Sequence, residues 1–202
     1  MKKNNTGFTL IEMVVVMGVM ALLLPTIFGV TYIIMQQQLQ IHKLTETKKQ
    51  GDLIMSYMKE SIGRTAVGIV DDSGTEQCVT PGAPYSSSSG SGFHFTIDQG
   101  SNPDMFSFQE SSGELIFTEK QYNPSLGSYD TSTISLNNSS VVAVSNFLIE
   151  CQRRTADVGT INFYPLVGFQ FDATFVDTTP TAQEGVTSLH YHTKVKLRRT
   201  PN

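Results

Sequence analysis

The sequence predicts an α+β protein: a long N-terminal helix whose second half packs on an antiparallel β-sheet. Three observations carry this expectation. An apolar run extends from Gly7 to Met35, a polar stretch with one apolar stripe follows to Arg64, and from Phe93 onward apolar and polar residues alternate. Helical faces recur every three to four residues and strand faces every second residue, so the change of period marks the change of element.

The first element is the apolar run. Gly7 to Leu24 reads GFTLIEMVVVMGVMALLL, with one acid, Glu12, near its start, and the run continues to Met35 past Pro25. About 28 residues of helix reach roughly 42 Å, against about 30 Å of bilayer hydrocarbon, so the segment can span a membrane. A lone carboxylate in lipid costs several kcal/mol unless it finds a partner, which marks Glu12 as functional. A secretory signal has an apolar core about half this long, followed by a small-residue cleavage site that is missing here. A plain membrane anchor explains the length and the leading Lys2 and Lys3, but not the acid.

The hexapeptide Gly7-Phe8-Thr9-Leu10-Ile11-Glu12, set between a short basic leader and an apolar helix, resembles the processing site of type IV prepilins and type II secretion pseudopilins. The resemblance implies a pilin-like fold and a membrane-embedded prepilin peptidase that cuts between Gly7 and Phe8. The same enzyme would methylate the new Phe8 amine. It further implies partners: other pilin or pseudopilin subunits packed through the N-terminal helix, and an inner-membrane assembly platform. Glu12 is expected to meet the Phe8 amine of a neighbouring subunit, being poorly placed to reach back along its own axis. Pro25 deprives the Ala21 carbonyl of its donor and kinks or loosens the helix, with Gly18 and Gly29 adding permissiveness. Two readings stay open for it: a proline merely tolerated in a membrane helix, or an assembly feature that unwinds as subunits pack.

Charge and cysteines set the compartment. The 202 residues carry 14 basic and 18 acidic side chains, −4, and without Lys2 and Lys3 the balance is 12 to 18, −6. Such a chain lacks the clustered Lys and Arg that nucleic-acid contact needs, so none is expected for this subunit. Basic residues flank the cytoplasmic side of a span, which puts the N-terminus inside and residues from about 36 onward outside. The domains expected are a leader over 1–7, a transmembrane half-helix over 8–35, an amphipathic half-helix over 36–64 and a β-rich extracytoplasmic part over 65–202. Outside the cytoplasm Cys78 and Cys151 can form one disulfide, closing a loop of about 70 residues worth roughly 4 kcal/mol. Two unrelated thiols are the alternative, and the sequence leaves both open.

Within 36–64 the apolar stripe comprises Leu44, Gly51, Ile54, Met55, Met58 and Ile62, at spacings of three and four. Gly63 to Gly92 reads as the least structured stretch, with a short strand near Ala66 to Val70. Asp71-Asp72-Ser73-Gly74, Pro81 to Pro84 and Ser86 to Ser91 read as loops. Strands then follow at Phe93/Phe95/Ile97, Phe106/Phe108, Leu115/Phe117, Ile134/Leu136, Val142/Val144, Phe147/Ile149/Cys151 and Val167 to Phe175. The last alternates Leu189, Tyr191, Thr193, Val195 and Leu197 with His190, His192, Lys194, Lys196 and Arg198. Asn102-Pro103, Asn137-Asn138 and Thr179-Pro180 break the runs.

Within the family, the globular part resembles J-type minor pseudopilins and similar minor pilins. The cues are the length of the chain, Ile62, Arg64 and Ala66 leading into the sheet, and a final strand ending Lys196-Leu197-Arg198. No catalytic set is legible: Ser86 to Ser89 is low complexity, and no phosphate loop or dinucleotide fingerprint occurs. His190 and His192 lack a third ligand at a zinc spacing, and Asp71, Asp72 and Glu76 lack the calcium-loop spacing. No enzyme, metal or cofactor is expected. The function expected is a minor pilin or pseudopilin, at a filament tip or in assembly initiation. A major pilin is one alternative and a membrane-anchored binding or adhesin module another; secretion, pilus and competence machines are all open.

Overall fold

The computed structural model describes residues 9–79, 84–98, 100, 102–153, 165–176 and 188–197. Helix α1 runs from Leu10 to Thr65 without a break at Pro25. Among the described residues nine strands follow: β1 Gly68–Val70, β2 Tyr85–Ser88, β3 His94–Thr96, β4 Met105–Ser111, β5 Glu114–Asn123, β6 Ser128–Ser135, β7 Val142–Gln152, β8 Leu166–Phe175 and β9 Ser188–Lys196. The chain divides into two compact units, Met1–Lys43 and Leu44–Asn202.

In the first unit every residue from Thr9 to His42 is exposed. Over Leu10–Met35 this helix is apolar on all sides and, among the described residues, uncovered, as suits lipid or a packing of apolar helices. By length and composition it can cross a membrane.

In the second unit the end of α1 buries Thr47, Gly51, Ile54, Met58 and Ile62, one stripe at spacings of three and four. Leu44, expected in the stripe, is 44% exposed; Thr47, one turn on, takes its place. Ile62 and Ala66 are buried, whereas Arg64 points outward and pairs with Glu60 at 2.6 Å. The stripe faces an aromatic core. Tyr57 sets its ring edge-on to Phe108 and Phe117, at centroid distances of 6.5 and 5.2 Å, and Phe93, Phe95 and Phe106 continue the cluster. Each such pair adds about 1 kcal/mol beyond burial.

The strands form two antiparallel sheets rather than the single sheet expected, ordered β1-β3-β4-β5-β6 and β2-β7-β8-β9. Alternation reports which face of a strand is buried but not which strand it pairs with. Asn137, legible only as a breaker, joins the sheets from the β6–β7 turn. Its Oδ1 accepts from Leu115 N–H at 2.7 Å, and its Nδ2 donates to the carbonyls of Gly113 and Val142 at 2.9 and 2.7 Å.

Two further expectations change. The serine run read as a loop contains β2, because β7 supplies a ladder from Tyr85↔Cys151 to Ser88↔Leu148. The runs Val142/Val144 and Phe147/Ile149/Cys151 are one strand, with a bulge between Ser145 and Leu148 and Asn146 at φ 53°. The extra residue moves the apolar phase from even to odd positions while keeping all five side chains in the core.

Candidate functional site

The site indicated by the sequence lies at the start of α1. Thr9 precedes the first helical residue, its carbonyl accepting from Glu12 N–H at 3.1 Å and Met13 N–H at 3.3 Å. The Glu12 carboxylate turns back and accepts from the Thr9 N–H at 3.5 Å. Glu12, expected to be poorly placed to reach its own Phe8 amine, turns back along its axis as far as the Thr9 N–H. Four residues span little more than one turn, and a glutamate side chain is long enough to return over it. Thr9-x-x-Glu12 is the sequence of a capping box, and this long contact is its carboxylate half. That signal was present in the sequence and went unread. A carboxylate here also faces the positive end of the helix dipole. Gly7 and Phe8, the expected processing residues, lie outside the described residues.

Farther along, Pro25 cannot donate to the helix ladder. One residue on, the Thr26 hydroxyl donates to the Leu23 carbonyl at 2.7 Å, and Thr31 does the same to Ile27 at 2.8 Å. Threonine thus hides its hydroxyl against the backbone, as an apolar setting requires. Gly18 and Gly29 have open space where a side chain would stand.

The other sequence-predicted residues lie in the second unit. Cys78 and Cys151 are joined by a disulfide, Cα–Cα 6.2 Å, which ties the segment after β1 to β7 across 73 residues. Asp71, weighed for calcium, organises a turn instead. It accepts from the Ser73 hydroxyl, the Ser73 and Thr75 N–H groups and the Gln77 amide at 2.6 to 2.9 Å. Those donors, the Ser73 hydroxyl foremost, hold its carboxyl below the usual range. Asp72 turns to His94 Nε2 at 2.8 Å.

His190, weighed for zinc, pairs through Nδ1 with Asp172 at 2.6 Å and stacks on His192. Asp172 also accepts from Asn146 at 2.8 Å, and this bond, then that to His190, lowers its carboxyl below the usual range. No group of three metal-ligating side chains converges among the described residues. The structure thus brings the two cysteines together, and keeps the histidine and aspartate groups as separate local pairs and turns.

Residues 2–24 match the family described as the prokaryotic N-terminal methylation motif. No curated protein and no solved structure matches the chain. The motif supports a prepilin-type N-terminus that is processed by a prepilin peptidase, and with the long apolar helix it supports a single-pass membrane anchor.

Proposed function

We propose that this chain is a structural, non-enzymatic subunit of a type IV pilus or type II secretion filament, a minor pilin or pseudopilin acting at the tip or in assembly initiation. The observation that carries the reading is the methylation-motif match over residues 2–24, running into a helix apolar on every side with one acid in its first turn. The J-type subtype rests on Ile62, Arg64 and Ala66 at the head of the sheet. In the proposed course the subunit inserts with Lys2 and Lys3 on the cytoplasmic side. The peptidase cuts after Gly7, where a residue without a side chain fits a tight site, and methylates Phe8.

Each mature subunit then carries an amine at Phe8 and a carboxylate at Glu12, about one turn apart. A neighbour shifted axially by about 5 Å sets its amine against this Glu12. Two costly charges in lipid become one satisfied contact, and the pair fixes the register of the filament. The bond from Thr9 N–H occupies Glu12 until that partner arrives. Mass spectrometry of the chain purified from its native membrane tests the premise: the N-terminal peptide begins at N-methylated Phe8. An N-terminus at Met1, or one beyond Leu24, overturns the reading. Scarcity of the chain in sheared filaments separates a minor from a major subunit.

A further inference from the structure

The outer face of the five-stranded sheet carries a cavity of about 540 Å³. Ladder pairing sets Gly68 of β1, Thr96 of β3 and Met105 of β4 abreast. Their chain neighbours Ile69, Phe95 and Phe106 are buried in the core. By strand alternation Gly68, Thr96 and Met105 therefore face away from that core and floor the cavity. Glu76 enters it from the turn that Asp71 organises and is bridged to Val70. Asp98 enters from the loop past β3, its Oδ1 accepting from Asp104 N–H at 3.1 Å. Tyr129 of β6 adds an aromatic wall.

Thr96 is the unusual member. It is only 6% exposed, yet its hydroxyl has no hydrogen-bond partner among the described residues. A buried hydroxyl left without a partner is costly. Among the described residues, the buried side-chain atom cut off from both partner and solvent is His94 Nδ1, so Thr96 Oγ1 keeps access to the cavity. Glycine at 68 is what uncovers it, since a Cβ there would stand 2.7 Å from Thr96 Oγ1.

The charge of the cavity has one sign. Glu76 and Asp98 have no ion-pair partner among the described residues, and no described Lys, Arg or His lines the cavity. Lys120, opposite Met105 in the ladder, shares the face but not the lining. The carboxylates are felt at Tyr129, whose phenol is held above its usual range by burial first, then by Tyr122, Asp104 and Asp98.

Two carboxylates, a hydroxyl oxygen and an aromatic ring together favour a cation. The volume is that of a small-molecule pocket rather than a single-ion site, and no three metal-ligating side chains converge among the described residues. We propose that this cavity binds an alkylammonium group on an apolar stem, its N–H donors shared among Glu76, Asp98 and Thr96 Oγ1 and its stem against Met105 and Tyr129. An ammonium has three donors and no acceptor, which matches three acceptors. A free amine and a lysine side chain of another protein carry the same group, and the test separates them. The inference stands apart from the filament reading, since it uses no residue of the methylation motif.

The test is isothermal titration calorimetry of the full chain in non-ionic detergent. The probes are cadaverine, its neutral diol analogue, and a blocked peptide with a single lysine between glycines. An amine probe should bind saturably, and the diol at least about tenfold more weakly. Glu76→Gln and Asp98→Asn should each weaken amine binding by about tenfold or more. Thr96→Val should weaken it several-fold, and Glu60→Gln on α1 should leave it unchanged. Asn at 98 keeps the acceptor for Asp104 N–H, and Glu76 is exposed, so both variants should melt with the wild type. Both amine results support the site: tighter cadaverine assigns a free amine as the source, and a tighter peptide assigns a lysine side chain of a partner. The proposal is overturned if neither amine binds, if the diol binds as tightly, or if Glu76→Gln and Asp98→Asn leave amine binding unchanged.

Discussion

Glu12 combines a cap with a proposed charge pair, and Glu12→Ala removes both together. As the third residue of α1 it caps the helix through Thr9 N–H, worth about 1 kcal/mol; as a charge it is the proposed partner of a neighbouring Phe8. Glutamine keeps the cap and loses the charge. Glu12→Ala and Glu12→Gln should both insert and be cleaved after Gly7, and both should fall out of filaments when sheared fractions are immunoblotted. Wild-type incorporation of Glu12→Gln would reduce Glu12 to a cap. A second residue, Asn137, acts through neutral chemistry. Removing its amide strands Leu115 N–H and the Val142 carbonyl in a buried site, while the Gly113 carbonyl keeps the Val144 N–H. Asn137→Ala should destabilise by about 2–4 kcal/mol in urea unfolding, whereas Asn138→Ala should cost less.

Among the elements, α1 comes close to β9 at Gly51. Any side chain at Gly51 would collide with the Tyr191 ring. That ring is fixed by stacking on Phe171 at 5.0 Å and by its hydroxyl donating to the Lys48 carbonyl at 3.2 Å. Alanine in a helix normally gains up to about 1 kcal/mol over glycine. Here overpacking should win, and Gly51→Ala should lower stability by about 1–3 kcal/mol. The sign should reverse in a Tyr191→Ala background, read by thermal unfolding in detergent.

Across the second sheet Asn146, Asp172 and His190 link β7, β8 and β9. Because the Asp172 carboxyl is held below its usual range, its contribution is complete above the unfolded value, about pH 4. It is lost as pH falls through the lower folded value. The melting temperature of Asp172→Asn should therefore lie below wild type at pH 5, and the gap should close as the pH drops under 4.

At the scale of the whole second unit, the disulfide between Cys78 and Cys151 closes 73 residues that contain β2 to β6. In the chain-entropy account such a loop contributes about 4 kcal/mol. Thiol reagents should label neither cysteine in the native, unreduced chain. A Cys78→Ser/Cys151→Ser variant should lose stability of that order in urea. Rapid labelling of Cys78 in oxidising medium would contradict the bond.

The sequence alone determined the helix, its two characters and the faces of most strands. These are properties of periodicity, and periodicity is local: Ile54, Met58 and Ile62 recur on one helix face, and Phe106 with Phe108 on one strand face, whatever surrounds them. Even the bulge in β7 is written as the phase change between Val144 and Phe147. The capping box was equally local. Tertiary structure decided whatever depends on a partner distant in sequence. A serine run becomes β2 only because β7 offers a ladder, and Asn137 becomes a joint only where two sheets meet. Thr47 replaces Leu44 because burial depends on what lies opposite, and Tyr191 requires glycine at position 51 across 140 residues of chain. Strand pairing has no period to read, since each edge offers the same backbone groups to every other strand. The choice falls to the combined packing of the core.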